Sequence, residues 1–294
     1  MTTMNAMAVH EFGPAENLIP TKLAIRDPAP GEVLIRVRAA AVNPADIGMR
    51  EGRYVWPEPL RMPMVPGYDV AGVVEVGTEA FPAGTAVIGY TAHSRTQIGG
   101  YAEYVILPER LVAAAPTKLD WAEAAALPLA GLTAQTALHQ LALAPGETLL
   151  VNRPGSAVGG FTVELARARG IEVVTGPDEV PDTPGTGPAV DAALDVAGGA
   201  MALAAFARVR DGGRYATVVP EFWIPGGQFT PARGIDPVTV FVDEAVGDLA
   251  ELSHLADAGT LTPHIAATLP LASAAEAHRR MQRGGALGKL VLLP

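Results

Sequence analysis

The sequence predicts an α/β chain in which a β-rich region precedes a doubly wound parallel unit, and three observations carry that prediction. The first is a strand–turn–helix–strand pattern at 147–175, ETLLVNRPGSAVGGFTVELARARGIEVVT. The second is a series of short strands and Gly/Pro turns over about the first 115 residues. The third is the alternation of apolar strands with helical periods from there toward the C-terminus.

Taken in order, MNAMAVHEF and TKLAIRDP read as strands, and Gly31-Glu32 turns into VLIRVRAAAV. There Val33, Ile35 and Val37 alternate with Leu34, Arg36 and Arg38, the period of a half-buried strand. Val42-Asn43-Pro44-Ala45-Asp46 is a turn that opens a short helix through Arg50. GRYVWPEPLRMPMVPGY is a Pro-rich loop, too apolar for a mere linker. DVAGVVEVG and TAVIGYTA are strands, and GGYAEYVILPERLVAAAP is a strand pair. DWAEAAALPLAGLTAQTALHQLAL is helical, with Asp120 and Glu123 spaced as a capping box. Pro128 and Gly131 are expected to break it in two.

Thr148 to Val151 is short and apolar enough to be a buried strand. Phe161, Val163, Leu165 and Ala168 follow at helical spacing, Gly170 closes the helix, and Ile171 to Val174 is the next strand. Such a βαβ unit opens a dinucleotide-binding fold, whose turn binds a pyrophosphate on helix N-terminal amides. Against the G-x-G-x-x-G fingerprint, Pro154-Gly155-Ser156-Ala157-Val158-Gly159 keeps only the third glycine, Gly159. Next, TGPDEVPDTPGTGPAVD at 175–191 carries four prolines and no helical period, and it predicts an irregular loop. AALDVAG is a strand, GAMALAAFARVRDGG a helix and RYATVV a strand. GDLAELSHLADAG is an amphipathic helix, and residues 262–294 hold a strand, a helix and a final strand.

The 294 residues suffice for one large or two ordinary domains, and 49% hydrophobic with 18% charged residues is a globular composition. A net charge of −10 without a basic cluster argues against nucleic acid or anionic membrane as partners. The absence of cysteine excludes disulfides, thiol nucleophiles and Cys-ligated zinc. The start MTTMNAMAVHEFG has no apolar signal region, and a soluble cytoplasmic protein is expected. His93, His139, His254 and His278 lack metal-ligand spacing and read as surface or helix residues.

AAAVNPADIGMREGRY, VPGYDVAGVVEVG, GGYAEYVILP, EAAALPLAGLTAQTAL, LAPGETLLV and LGKLVLLP together resemble the zinc-independent quinone oxidoreductase, or zeta-crystallin-like, branch of the medium-chain dehydrogenase/reductases. The resemblance spans nearly the whole chain. It implies a GroES-like β domain from residues 1–118 and 265–294, with a Rossmann doubly wound domain at 119–264 that is shortened after its second strand. It implies hydride transfer from NADPH or NADH to a quinone, an enone or a related carbonyl compound, without metal, in a homodimer. By resemblance Asn43, Asp46 and Tyr54 line the nicotinamide and substrate cleft between the domains, with Tyr54 the candidate acid and Tyr68 and Thr133 beside it. Thr133, Gly155, Ser156, Val158, Gly159 and Lys289 match cofactor-side positions. On the residues alone, Asn43 and Asp46 read as a turn and helix cap, Tyr54 as an aromatic packing the Pro-rich loop, and Lys289 as the start of an edge strand.

Departures from the family pattern sit at the cofactor. Pro154 removes an N–H donor, and Ser156 places a side chain where bare backbone is usual. The 175–191 segment carries acids and no base, which would repel a 2′-phosphate. NADPH binding is therefore expected to be weak or absent. Three readings stand: a nicotinamide-dependent reductase, a non-redox isomerase, cyclase or dehydratase on the same scaffold, and a catalytically silent binding protein.

Overall fold

The computed structural model describes residues 2–53, 60–176, 187–285 and 287–294. The chain opens on an antiparallel pair, β1 (Thr3–Ala8) and β2 (Ile19–Ala24). In β3 (Glu32–Ala41), Val33, Ile35 and Val37 are buried while Arg36 and Arg38 are exposed, so the predicted alternation sets the inward face. α1 (Pro44–Arg50) follows at once, with Pro44 at a position where a missing N–H costs nothing. β4 (Asp69–Val76), β5 (Ala86–Tyr90), the single turn α2 (His93–Thr96), β6 (Tyr104–Pro108) and β7 (Val112–Ala114) complete this part. β3 pairs antiparallel with both β4 and β6, and β5 pairs antiparallel with β4 and β7.

α3 (Trp121–Ala125) is closed by the Asp120/Glu123 capping box. The chain breaks before Pro128 as expected, but α4 (Pro128–Leu141) runs through Gly131 without interruption. A helix-interior glycine costs only about 1 kcal/mol, whereas proline lacks the donor altogether.

The parallel sheet begins with β8 (Thr148–Val151), α5 (Ala157–Ala168) and β9 (Glu172–Thr175). β10 (Val190–Asp195), α6 (Gly199–Arg208), β11 (Val209–Thr217) and β12 (Val238–Thr239) follow. The helix expected through Gly213 ends at Arg208, and Val209 already pairs with Val190 of β10. The β-branched Val209 packs with Val190, Phe206 and Tyr215 in the core of this unit, and that packing outweighs the helical period. Among the described residues the sheet has five strands in the order β12-β11-β10-β8-β9, leaving β9 at one edge. A six-stranded doubly wound sheet carries a further strand there. The part of the expected loop at 177–186 lies outside the described residues; Gly176 and 187–189 beside it are neither helix nor strand.

α7 (Leu249–Asp257), β13 (Ile265–Pro270), α8 (Ala274–Arg283) and β14 (Lys289–Leu293) close the chain. β14 lies between β13 and β3, parallel to the first and antiparallel to the second, so the C-terminus extends the N-terminal sheet. Lys289 thus begins an interior strand, not an edge. Two compact units result. One holds Met1–Leu129, Leu249–Asp257 and Pro263–Pro294; the other holds Ala130–Asp248 and Ala258–Thr262. α3 packs on β3 and β4, and Ser253 of α7 donates its hydroxyl to the carbonyl of Ala114 at the end of β7 (2.8 Å), which is why both helices group with the first unit. This is the α/β architecture of a GroES-like β domain with a Rossmann-type parallel sheet.

Candidate functional site

Asp69, the first residue of β4, is fully buried. Its Oδ2 accepts from Lys289 Nζ (2.9 Å) and from Asn43 Nδ2 (2.9 Å), and its Oδ1 accepts the N–H of Leu129 in the first turn of α4 (2.6 Å). Lys289 also donates to Asn43 Oδ1. The side-chain amide of Asn43 is therefore committed at both ends, to the ammonium and to the carboxylate. One buried ion pair ties β14, β4, α1 and α4 together.

Asp46 lies three residues past the Asn43 cap and is fully buried. Its Oδ2 accepts the N–H of Asn43 (2.8 Å) and the hydroxyl of Tyr101 (3.1 Å), and its Oδ1 accepts the N–H of Gly67 (3.1 Å). The Tyr101 hydroxyl also meets His278 Nε2 (3.1 Å), and His278 Nδ1 meets Arg50 Nη1 (3.3 Å). Arg50, itself buried, donates to the carbonyl of Gly13 (3.0 Å) and to Glu51. Burial and then the Asp69 charge push the Asp46 carboxyl up, to about 7, against the Asn43 amide, Lys289 and Tyr101, which favour the ionised form. Burial and Arg50 push His278 down to about 3, so its ring is neutral. Burial and Asp46 raise the Tyr101 phenol well above its ordinary value.

The folded state holds the Asp46 proton more tightly than the unfolded chain does. Its contribution to stability is complete below the ordinary carboxylate range and is lost as pH rises through about 7. Urea denaturation across about pH 4.5 to 7 is expected to show stability falling with pH, by up to about 1.4 kcal/mol per pH unit from this group, and the fall should level off above about pH 7. Asp46→Asn should flatten that slope; an unchanged slope would assign it to other groups.

The other expected residues fall in several places. Tyr68 is buried, stacked on Tyr90 (centroids 6.1 Å apart) and tilted toward His93 (5.7 Å). Thr133 is buried on α4 in the second unit. Tyr54 lies outside the described residues. His139 and His254 are exposed; His93 and His278 lie on helices α2 and α8, as their reading as surface or helix residues allows, but both are fully buried. Metal-ligand spacing was the wrong test for His278, which is held by a phenol and a guanidinium. Asp69, Tyr101 and Arg50 lay within stretches already noted, yet nothing local marked their pairing across 26 to 228 positions.

Residues 29–117 match the model of the alcohol dehydrogenase GroES-like domain, and residues 172–292 match that of zinc-binding dehydrogenases. The chain is 30% identical to the human quinone oxidoreductase, over 99% of this chain and 98% of that protein. The chain belongs to the quinone oxidoreductase branch of the medium-chain dehydrogenase/reductases. It is also 38% identical to the 2-methylene-furan-3-one reductase of Solanum lycopersicum, over 56% of this chain and 44% of that one. The structure of the quinone oxidoreductase from Coxiella burnetii superposes with a TM-score of 0.86 at 24% identity, covering all of both chains, a likeness of fold.

Quinone oxidoreductases of this branch use NAD(P)H, and the β8–α5 turn is where the fold offers a pyrophosphate its amides. A Cβ on Gly159 would lie 2.5 Å from the carbonyl of Arg153, so glycine is required for the helix to approach the turn. Ser156 is the N-cap, its Oγ accepting the Gly159 N–H (3.1 Å). Helix geometry leaves the N–H groups of Ala157 and Val158 without intrahelical acceptors. The turn thus fits a pyrophosphate, but with fewer amides than an all-glycine turn, since Pro154 has none and Ser156 takes another. Arg153 is exposed at the turn with a left-handed φ of 47°. At the adjoining strand ends Asn152 Nδ2 and Thr217 Oγ1 both donate to Asp195 (2.6 Å each), and the Val196 N–H returns to Asn152 Oδ1 (2.7 Å). Among the described residues no group of three or more His, Cys, Asp or Glu is placed to hold a metal ion.

Proposed function

We propose that the chain is an NAD(P)H-dependent reductase of a quinone, an enone or a related small carbonyl compound. The observation that carries this reading is the similarity to a quinone oxidoreductase along essentially the full length of both chains. The similarity to a 2-methylene-furan-3-one reductase supports activated alkenes within the same substrate class. The bound nicotinamide would supply the hydride. The amides of Ala157 and Val158 would hold the pyrophosphate, and Gly159 keeps the turn closed enough for them to reach it. The Asn43–Asp69–Lys289 cluster fixes the entry to α1 and the start of α4, the two helix ends that carry the resemblance-derived residues. Tyr54 is assigned by resemblance as the acid that hands a proton to the oxygen or carbon left anionic.

The test is loss of the NADPH absorbance band on adding a panel of quinones and enones. Tyr54→Phe keeps the ring and removes the hydroxyl, and is expected to lower turnover at least about a hundredfold with the fold intact. Unchanged turnover removes Tyr54 from the mechanism. A non-redox reaction is the second reading, favoured by Pro154 and Ser156 in the cofactor turn. Product formation without NADPH oxidation would select it. Homodimerisation is proposed through the β12 edge of the parallel sheet, where Val238 and Phe241 are exposed; sedimentation of the purified chain measures it.

A further inference from the structure

The buried residues behind Asp46 have a direction. An arginine guanidinium only donates hydrogen bonds. Because Arg50 Nη1 faces His278 Nδ1 at 3.3 Å, that nitrogen carries the lone pair and the ring proton sits on Nε2. His278 Nε2 then donates to the Tyr101 oxygen at 3.1 Å, which sends the Tyr101 proton to Asp46 Oδ2, also at 3.1 Å. The other close partners of Asp46, the N–H groups of Asn43 and Gly67, are donors too. The arrangement is complete only when Asp46 is a carboxylate. A neutral Asp46 adds a hydroxyl among groups that all donate, and one of the three bonds must give way.

Those three bonds hold the parts on which the candidate site depends. The Asn43 N–H bond caps α1, the Gly67 bond fixes the backbone leading into Asp69, and the Tyr101 bond joins both to α8. We infer that His278 is a positioning residue for the reductase: locked in its Nε2–H tautomer by Arg50, it acts through Tyr101 to keep Asp46 an acceptor and the Asn43–Asp69–Lys289 cluster in its working arrangement. This rests on the reductase reading given above. The charged and titratable groups facing Asp46 are Asp69 on β4, Lys289 on β14 and Tyr101 before β6, with His278 on α8 and Arg50 on α1 beyond the phenol. Lys289 and the hydrogen-bond donors favour the carboxylate, against burial and the Asp69 charge.

The experiment follows the carboxylic acid C=O band of Asp46 by difference infrared spectroscopy of the full chain, assigned by its loss in Asp46→Asn. His278→Leu frees the Tyr101 hydroxyl to turn, which lets it accept from a neutral Asp46. The Asp46 midpoint is expected to rise by about one pH unit, tenfold in proton affinity, consistent with loss of one hydrogen bond to a charged group. The acid limb of the kcat–pH profile with NADPH and a quinone should move with it. His278→Gln can accept from Arg50 and donate to Tyr101, and should restore both midpoints. Tyr101→Phe removes the link without disturbing the Arg50–His278 contact, and should raise the Asp46 midpoint even if His278→Leu does not fold. An Asp46 midpoint unmoved in Tyr101→Phe or in folded His278→Leu overturns the inference. A moved midpoint in a wild-type protein that oxidises no NADPH with any quinone or enone upholds the hydrogen-bond direction and defeats the reductase reading, and with it the catalytic role given to His278.

Discussion

Lys289→Met is expected to lower the unfolding free energy by about 3–5 kcal/mol, the cost of breaking a buried ion pair from one side. The size follows from what is left behind. Asp69 is fully buried and Lys289 is 5% exposed, so water cannot readily take the place of the ammonium. The carboxylate would keep the Asn43 amide and the Leu129 N–H, but it would lose the cation that balances its charge. Asn43 Oδ1 would lose its donor in the same step. For a domain whose total stability is about 5–15 kcal/mol, such a loss is a large fraction. Asp69→Asn in the same chain should recover much of it, because the neutral amide still offers an oxygen to Leu129 and leaves no buried charge unbalanced. Urea denaturation of the wild type, both single variants and the double variant gives the coupling. Additive losses would mean that the ammonium and carboxylate contribute independently, against the geometry. Lys289→Met should also raise the Asp46 midpoint, since Lys289 is one of the groups that favours its ionised form.

Asp46 joins stability to the proposed function with opposite signs. Burial makes its ionised form costly, so the fold is favoured as pH falls. The hydrogen-bond direction set by Arg50 needs the carboxylate, so the working arrangement is favoured as pH rises. Polar groups held at a cost to stability are a recurrent property of functional sites. The pH at which activity appears should therefore lie on the falling side of the stability curve.

The parts of the fold that were legible in the sequence are those whose cause is local. The β8–α5–β9 unit follows from strand and helix periods bounded by Gly170, and β3 follows from alternation. The Asn43–Asp46 turn was readable as a cap, and the backbone of Asn43 does donate to Asp46 as a cap requires. What the local pattern could not carry was the second set of partners on the same residues. Asn43 also bonds Asp69 and Lys289, and Asp46 also bonds Gly67 and Tyr101, because β3, which leads into both residues, pairs with β14, β4 and β6. His278 is the clearest case. On a helix with three arginines it looks like a surface residue, and only the packing of α8 shows that it faces a phenol instead of water. The start of β11 at Val209 has the same character, since the competing helical period was overruled by a partner strand.

NADPH is expected to bind this chain two to four decades more weakly than it binds a relative with small residues throughout the cofactor turn. Two sets of contacts account for that range. In the turn, Pro154 brings no N–H and the Gly159 N–H is already accepted by Ser156 Oγ, leaving Ala157 and Val158 as the helix N-terminal donors. At the adenosine end, recognition of a 2′-phosphate calls for basic side chains, and 175–191 contains none. Each lost charge-assisted bond is worth about 1.5–3 kcal/mol, and about 1.4 kcal/mol is tenfold in affinity. The acids of that segment do not act alike. Asp191 accepts the Thr148 N–H and pairs with Arg210 (2.8 Å each), so it is engaged in joining β8 to β10. Asp178, Glu179 and Asp182 lie outside the described residues and add three formal negative charges to the segment, where the sequence offers no base for a 2′-phosphate. NADH, which lacks that phosphate, is therefore expected to bind at least as well as NADPH. Calorimetry with both nucleotides, beside the human quinone oxidoreductase, measures the difference. Ser156→Gly with Pro154→Ala returns two amides to the turn and should strengthen binding of both nucleotides about tenfold or more. A sub-micromolar NADPH dissociation constant in the wild type would show that the exposed Arg153 or other groups replace the missing donors, and the expectation would fail.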